Sequence, residues 1–259
     1  MHREFTQLRR ILRAGYFASK IRQISMRFAN QSIREGALLS AGILLCALSG
    51  QASAQWSGTV ALTSDYVWRG SSQTREEPAL QGGLRYTHGS GFYASVWGSN
   101  VKFAPDNGAR SEFDLAAGWS GKVAEDWAVD LYLLRYQYPS AHTRLNWNEL
   151  NASATWRDNY WLAVGHSDNA MASRSRGTYL QLGARVPISE QWRVEASVAR
   201  YVLESRYADS YTHGAVGVVW AFKAPFEARL TLHGTDSAAR RLFTGMAGSR
   251  AELALQASF

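Results

Sequence analysis

Fourteen charged side chains fall inside stretches that otherwise alternate like strands, and they are the residues with the most chemistry to offer. The acids are Asp65, Glu112, Asp114, Asp130, Glu149, Glu195, Glu227 and Glu252. The bases are Arg69, Arg85, Arg185, Arg193, Arg229 and Arg250. Within each segment they share the face opposite the large apolar residues. Eight acids against six bases on one nearly balanced face predict ion pairs, or a transverse field through which small polar solutes pass. Asp65 and Arg69 stand out, four residues apart on that face. At about 3.3 Å per residue they would lie roughly 13 Å apart, so their partners belong to adjacent strands.

Hydrolytic chemistry is the rival. His166-Ser167-Asp168 holds the residue types of nucleophilic hydrolysis, and His88, His142, His213 and His233 add bases. Neighbours along a strand point to opposite faces, however, so His166 and Ser167 do not meet there. No G-x-S-x-G elbow or H-E-x-x-H pair is present. The single Cys, Cys46, excludes a cysteine-based zinc site, an iron-sulfur cluster and an internal disulfide. The histidines lack ligand spacing. No catalytic, cofactor-binding or metal residue is assigned, no cofactor is expected, and the chain reads as a non-enzyme. An outer-membrane hydrolase stays open as the lesser alternative.

The elements that must carry these charges are strands. From Trp56 onward apolar residues recur at every second position, with turn residues between them. Trp56, Val60, Leu62, Tyr66 and Trp68 fall on one face of the first segment, opposite Ser57, Thr59, Thr63, Asp65 and Arg69. That segment is expected to run unbroken over 56–69. Strands follow near 79–87, 92–101, 111–120, 127–138, 147–156, 160–167, 178–186, 192–201, 211–222, 226–234 and 250–259, about twelve in all. Connections alternate between longer (70–78, 102–110, 139–146, 168–177, 202–210, 235–249) and shorter, so the two sets lie at opposite ends. Short periplasmic turns and long outer loops have this asymmetry in bacterial outer-membrane barrels. A soluble barrel alternates too, but with its apolar face inside.

Tryptophans favour the membrane barrel: Trp56, Trp68, Trp119, Trp127, Trp147, Trp156 and Trp192 sit near strand ends, where two interfacial girdles would need them. The chain ends in Phe259 on an apolar strand face, the position read by the barrel-assembly machinery. The longest loop, 235–249, carries Arg240-Arg241 followed by Leu242-Phe243, and is expected to be a mobile surface loop, a plug in the mouth, or a segment lying on lipopolysaccharide.

The first 54 residues read as an address. Ala37–Leu48 is an apolar run behind basic residues and ahead of Ala52-Ser53-Ala54. This is the order of a cleavable secretory signal peptide, too short to span a bilayer. Cleavage is expected after Ala54, and Met26 offers an alternative start. This segment also holds eight of the 28 Lys and Arg residues and only two acids, Glu4 and Glu35. The remainder is close to neutral, so the net charge of +7 does not point to nucleic acid.

Ser64 to Val101 carries Ser64-Asp65-Tyr66, Arg69-Gly70, Ser72-Gln73-Thr74, Pro78-Ala79, Gln81-Gly82-Gly83, Gly91-Phe92-Tyr93 and Trp97-Gly98-Ser99-Asn100 in order. The stretch resembles the opening signature of the TorF family of porins, bacterial outer-membrane proteins largely of unassigned function. Glu112–Gly121 and Tyr136-Gln137-Tyr138-Pro139 are similar to family features as well. The resemblance implies location and a pore, without a solute.

The expected protein is thus all-β: a signal peptide over 1–54, then an antiparallel transmembrane β-barrel of about twelve strands over 55–259. About twelve strands leave a narrow or partly blocked lumen. The expected function is passive diffusion of small polar or ionic solutes through it. The expected partners are outer-membrane lipid, lipopolysaccharide and the assembly machinery, with no nucleic acid. An occluded structural or adhesive barrel working through its outer loops remains the other alternative.

Overall fold

A computed structural model describes residues 55–259. The expected export segment, its cleavage at Ala54, the alternative start at Met26 and Cys46 lie outside the described residues. Fourteen strands form: β1 (Gln55–Thr63), β2 (Val67–Trp68), β3 (Ser71–Ser72), β4 (Ala79–Thr87), β5 (Phe92–Asn100), β6 (Ser111–Ala124), β7 (Trp127–Gln137), β8 (Trp147–Trp156), β9 (Tyr160–Ser167), β10 (Gly177–Pro187), β11 (Trp192–Leu203), β12 (Tyr211–Lys223), β13 (Phe226–Thr235) and β14 (Arg250–Ser258). Among the described residues a short α-helix, α1, spans Ser237–Leu242, and a single 3-10 turn spans Ala170–Ala172.

Twelve of these strands close into an antiparallel barrel, each paired with its sequence neighbours, with β1 joining both β14 and β4. Closure removes the free edges that an open sheet would expose in hydrocarbon. Phe259 helps to complete it. Gly58 N–H donates to its carbonyl at 2.6 Å, and its own N–H donates to the Gly58 carbonyl at 3.0 Å.

The two solvents inferred from alternation are those of a membrane barrel. Leu62, Leu80, Leu133, Leu150, Leu182 and Leu253 are all exposed on the outside, while Glu112, Asp114 and Glu149 are buried inside. Apolar outside and polar inside inverts a soluble barrel, and this is the arrangement that hydrocarbon demands. The mixed face at Tyr160-Trp161 resolves in the same terms. Tyr160 is exposed beside Trp156, whereas Trp161 turns inward and its Nε1 donates to Gln181 Oε1 at 3.3 Å.

Among the described residues the exposed aromatic rings gather mostly at one end. Trp56, Trp127, Trp192, Trp220 and Phe226 are exposed at the short-turn end, with Trp192 stacked on Trp220 at 5.5 Å. Toward the opposite rim the exposed residues are mainly aliphatic, Leu62, Leu80, Leu150 and Leu180, with Phe113 among them. Trp68 and Trp147, expected at an interface, instead pack together inside the barrel at 6.2 Å.

The first strand is the main correction. It stops at Thr63, and residues 64–78 fold into the bore as a miniature hairpin, β2 against β3. Arg69 and Gly70 form its tip, with φ of 47° and 83°. Tight two-residue hairpins require such positive φ values. Gly70 is needed on a second count, since a Cβ there would lie 2.7 Å from Thr235 Cγ2 and 2.8 Å from His213 Cβ.

Candidate functional site

The hairpin organises the lumen at the long-loop end. Asp65 ties its base: Oδ1 accepts from Ser72 Oγ at 2.5 Å and Thr74 Oγ1 at 2.9 Å, and Oδ2 accepts from Arg250 Nη1 at 3.2 Å. Tyr66 packs on Trp97 of β5, and Trp68 on Tyr136 of β7, Trp147 of β8 and Tyr201 of β11. Trp68 touches all three buried apolar clusters of the described residues. The apolar core, outside in a membrane barrel's skin, therefore reappears inside as the bed of this hairpin.

Arg69 reaches the far wall. Its Nη1 and Nη2 donate to Glu149 Oε2 and Oε1 at 2.8 and 2.6 Å, a two-pronged pair with little solvent access on either side. The guanidinium carbon lies 4.0 Å from the Tyr179 ring centroid, 4.8 Å from Tyr201 and 4.6 Å from Trp68. Tyr211 Oη donates to the Arg69 carbonyl at 3.1 Å. Pairing, hydrogen bonding and cation–π contact together offset the desolvation of a buried charge, which neither partner could bear alone.

Thus Asp65 and Arg69 face the lumen from a folded-in loop, not from one strand. Asp65 finds Arg250 on β14, a strand that flanks β1 as expected, whereas Arg69 finds Glu149 on β8, across the bore. The remaining twelve charged side chains face inward from strands, and they separate along the axis. Glu112, Asp114, Glu149, Arg250 and Glu252 join Asp65 and Arg69 at the long-loop end. Arg85, Asp130, Arg185, Arg193, Glu195, Glu227 and Arg229 occupy the short-turn end.

The short-turn set is densely paired. Glu195 accepts from Arg185 Nε at 2.9 Å, Arg193 Nε at 2.8 Å and Arg229 Nη1 at 2.6 Å, and Glu227 holds Arg193 by two bonds of 2.6 and 2.7 Å. Arg85 lies over the Tyr93 ring at 3.4 Å, whose hydroxyl donates to Asp130 at 2.8 Å. At the long-loop end Glu252 meets His233 Nε2 at 2.9 Å. There Glu112 accepts from Tyr138 Oη at 2.9 Å, but its Oε2 and both oxygens of Asp114 are buried with no hydrogen-bond partner.

Other residues complete the site: Trp68, expected on the apolar face, and Tyr179 and Tyr201, which alternation did not single out, surround Arg69, and Gly165 lies behind Glu149. A Cβ on Gly165 would sit 2.8 Å from the Glu149 carboxyl carbon, so the bare backbone of β9 makes room for that side chain. The hydrolytic grouping does not assemble. Ser167 is buried toward the lumen, whereas His166 is exposed and bonds Thr178 Oγ1 at 2.8 Å.

Loop 236–249 braces the hairpin rather than crossing the bore itself. Asp236 caps α1 by accepting from the Ala239 N–H at 3.0 Å, Ala239 is buried, and the Met246 carbonyl accepts from the Ser72 N–H at 2.7 Å.

The family described as "Bacterial protein of unknown function (Gcw_chp)" matches residues 47–259. No curated protein matches in sequence. Among solved structures, the KdgM porin is similar at 9% identity and a TM-score of 0.52, over 78% of this chain and 99% of that one. The NanC porin is similar at 10% identity and a TM-score of 0.51, over 79% and 99%. At such identities the likeness is one of fold, and it matches the twelve-stranded closure described above.

Proposed function

The chain belongs to the Gcw_chp family, and we propose that it is a bacterial outer-membrane, porin-like channel for passive diffusion of small polar or ionic solutes through a narrow charged lumen. One observation carries this reading: the barrel turns fourteen charged side chains inward, six buried and eight half-buried, while presenting leucines and tryptophans outside. A soluble container has no use for that inversion, whereas a passage through hydrocarbon requires it. The fold shared with KdgM and NanC porins supports the same reading.

In this proposal residues 1–54 direct export and are removed, Phe259 marks the chain for barrel assembly, and lipid with lipopolysaccharide surrounds the leucine skin. The fourteen charged residues line the passage, and hairpin 64–78 is its constriction. No cofactor or enzymatic step is part of the mechanism. Solutes are sorted by the width left beside the hairpin and by the charge on either side of it.

The contacts of Trp68 and Arg69 across the bore favour one second reading, an occluded barrel that works through its outer loops. Planar-bilayer recording separates the two once heat-modifiable migration has established insertion. Discrete conductance steps support the channel. Insertion without steps rejects it in favour of the occluded barrel.

A further inference from the structure

The cage around Arg69 is made of two kinds of part. Glu149, Tyr179 and Tyr201 belong to the barrel wall, on β8, β10 and β11, whereas the cation belongs to a loop. The wall parts also have contacts of their own apart from that loop. Glu149 sits against the bare backbone of Gly165, and the Tyr179 hydroxyl is joined to His213 Nε2 at 3.0 Å. Tyr201 packs edge-on against Tyr179 and Tyr211 at 5.8 Å each. The loop part is slight: β2 and β3 pair through two residues each, too little to be stable alone. A carboxylate flanked by ring faces is the chemistry that selects a planar organic cation.

We propose that this cage is a binding site for guanidinium-bearing solutes, and that Arg69 fills it as a built-in mimic of the solute. The inference rests on the channel reading and names the solute class for it. Charge favours it further. With Arg69 withdrawn, this end of the lumen would hold Asp65, Glu112, Asp114, Glu149 and Glu252 against Arg250 and His233. Asp114 and the Oε2 of Glu112, buried without a hydrogen-bond partner, then suit a solute with a second positive charge. A metal ion is the weaker occupant, because among the described residues no three His, Cys, Asp or Glu side chains converge to hold one.

The test uses the full chain, purified from membranes, as Arg69→Ala and as Arg69→Ala/Glu149→Gln. Agmatine is the probe, and methylurea is the neutral isostere of the guanidinium end. Agmatine is expected to raise the thermal midpoint of Arg69→Ala and to bind it about tenfold or more tighter than the double variant. Methylurea should do neither. Equal binding to both variants, or an equal response to methylurea, overturns the proposal.

Should Arg69→Ala fail to fold, the unaltered chain gives the same decision. Agmatine is expected to compete with Arg69 and to speed chymotrypsin cleavage of the hairpin after Tyr66 or Trp68, and an unchanged rate overturns the proposal. Both readouts are independent of conductance. Agmatine binding in a non-conducting barrel would reject the channel and keep the cage, and a conducting barrel without agmatine binding would do the reverse.

Discussion

The two ends of the lumen solve the burial of charge differently. At the short-turn end, strands β10, β11 and β13 carry arginines and glutamates in register, so Arg185, Glu195, Arg193, Glu227 and Arg229 link into one network. At the long-loop end the wall is mostly acidic, and its main counter-charge, Arg69, arrives on a loop. A network closed within the wall braces the barrel and stays put. A charge balanced by a loop depends on where that loop is. The long-loop end is therefore the place where the passage can change.

Disturbing each end separately sharpens this contrast. Glu149→Leu has the largest expected effect, because it strands the Arg69 guanidinium in a buried site. Losing one partner of such a pair costs about 3–5 kcal/mol. The cost falls on hairpin docking, so trypsin should cut after Arg69 or Arg75 far faster while the barrel keeps its heat-modifiable migration.

Glu195→Gln removes the acceptor shared by three arginines, with an expected loss of about 1.5–3 kcal/mol. Its effect should appear in the thermal midpoint of the whole barrel and as a shift of ion selectivity toward anions, with hairpin proteolysis unchanged. Gly165→Ala pushes the Glu149 carboxylate aside without removing it. The expected loss of hairpin docking is about 1–2 kcal/mol, read by the same trypsin assay.

The smallest effect belongs to the rim pair Asp106–Arg110, exposed in loop 101–110. The Arg110 guanidinium and the Gly108 N–H hold the Asp106 carboxyl below its usual range. A lowered value means that its contribution is complete above about pH 4 and fades only in stronger acid. Asp106→Asn should therefore differ from the intact chain only slightly in either assay, and by the same amount throughout pH 5 to 8.

The walls of the barrel were legible in the sequence because each strand faces two solvents, and alternation records that directly. Leu115 outside and Asp114 inside need no further information. The hairpin was hidden by the same rule. Tyr66 and Trp68 continue the apolar parity of Trp56, Val60 and Leu62, and an aromatic ring suits a lipid interface as well as a lumen core. The available clue was Arg69-Gly70, a turn signal inside what otherwise reads as one strand. Asp65 meets Arg250 on the neighbouring strand β14, but the pairing of Arg69 with Glu149, 80 residues away on the far wall, was beyond reach. Their meeting depends on a loop turning inward, which alternation does not encode.

Single-channel conductance with residues 66–74 replaced by a short Gly-Ser connection tests the central claim most directly, alongside the intact chain. If the hairpin is the constriction, the variant inserts normally and conducts several-fold more than the intact barrel. Equal conductance from two correctly inserted barrels would contradict that claim.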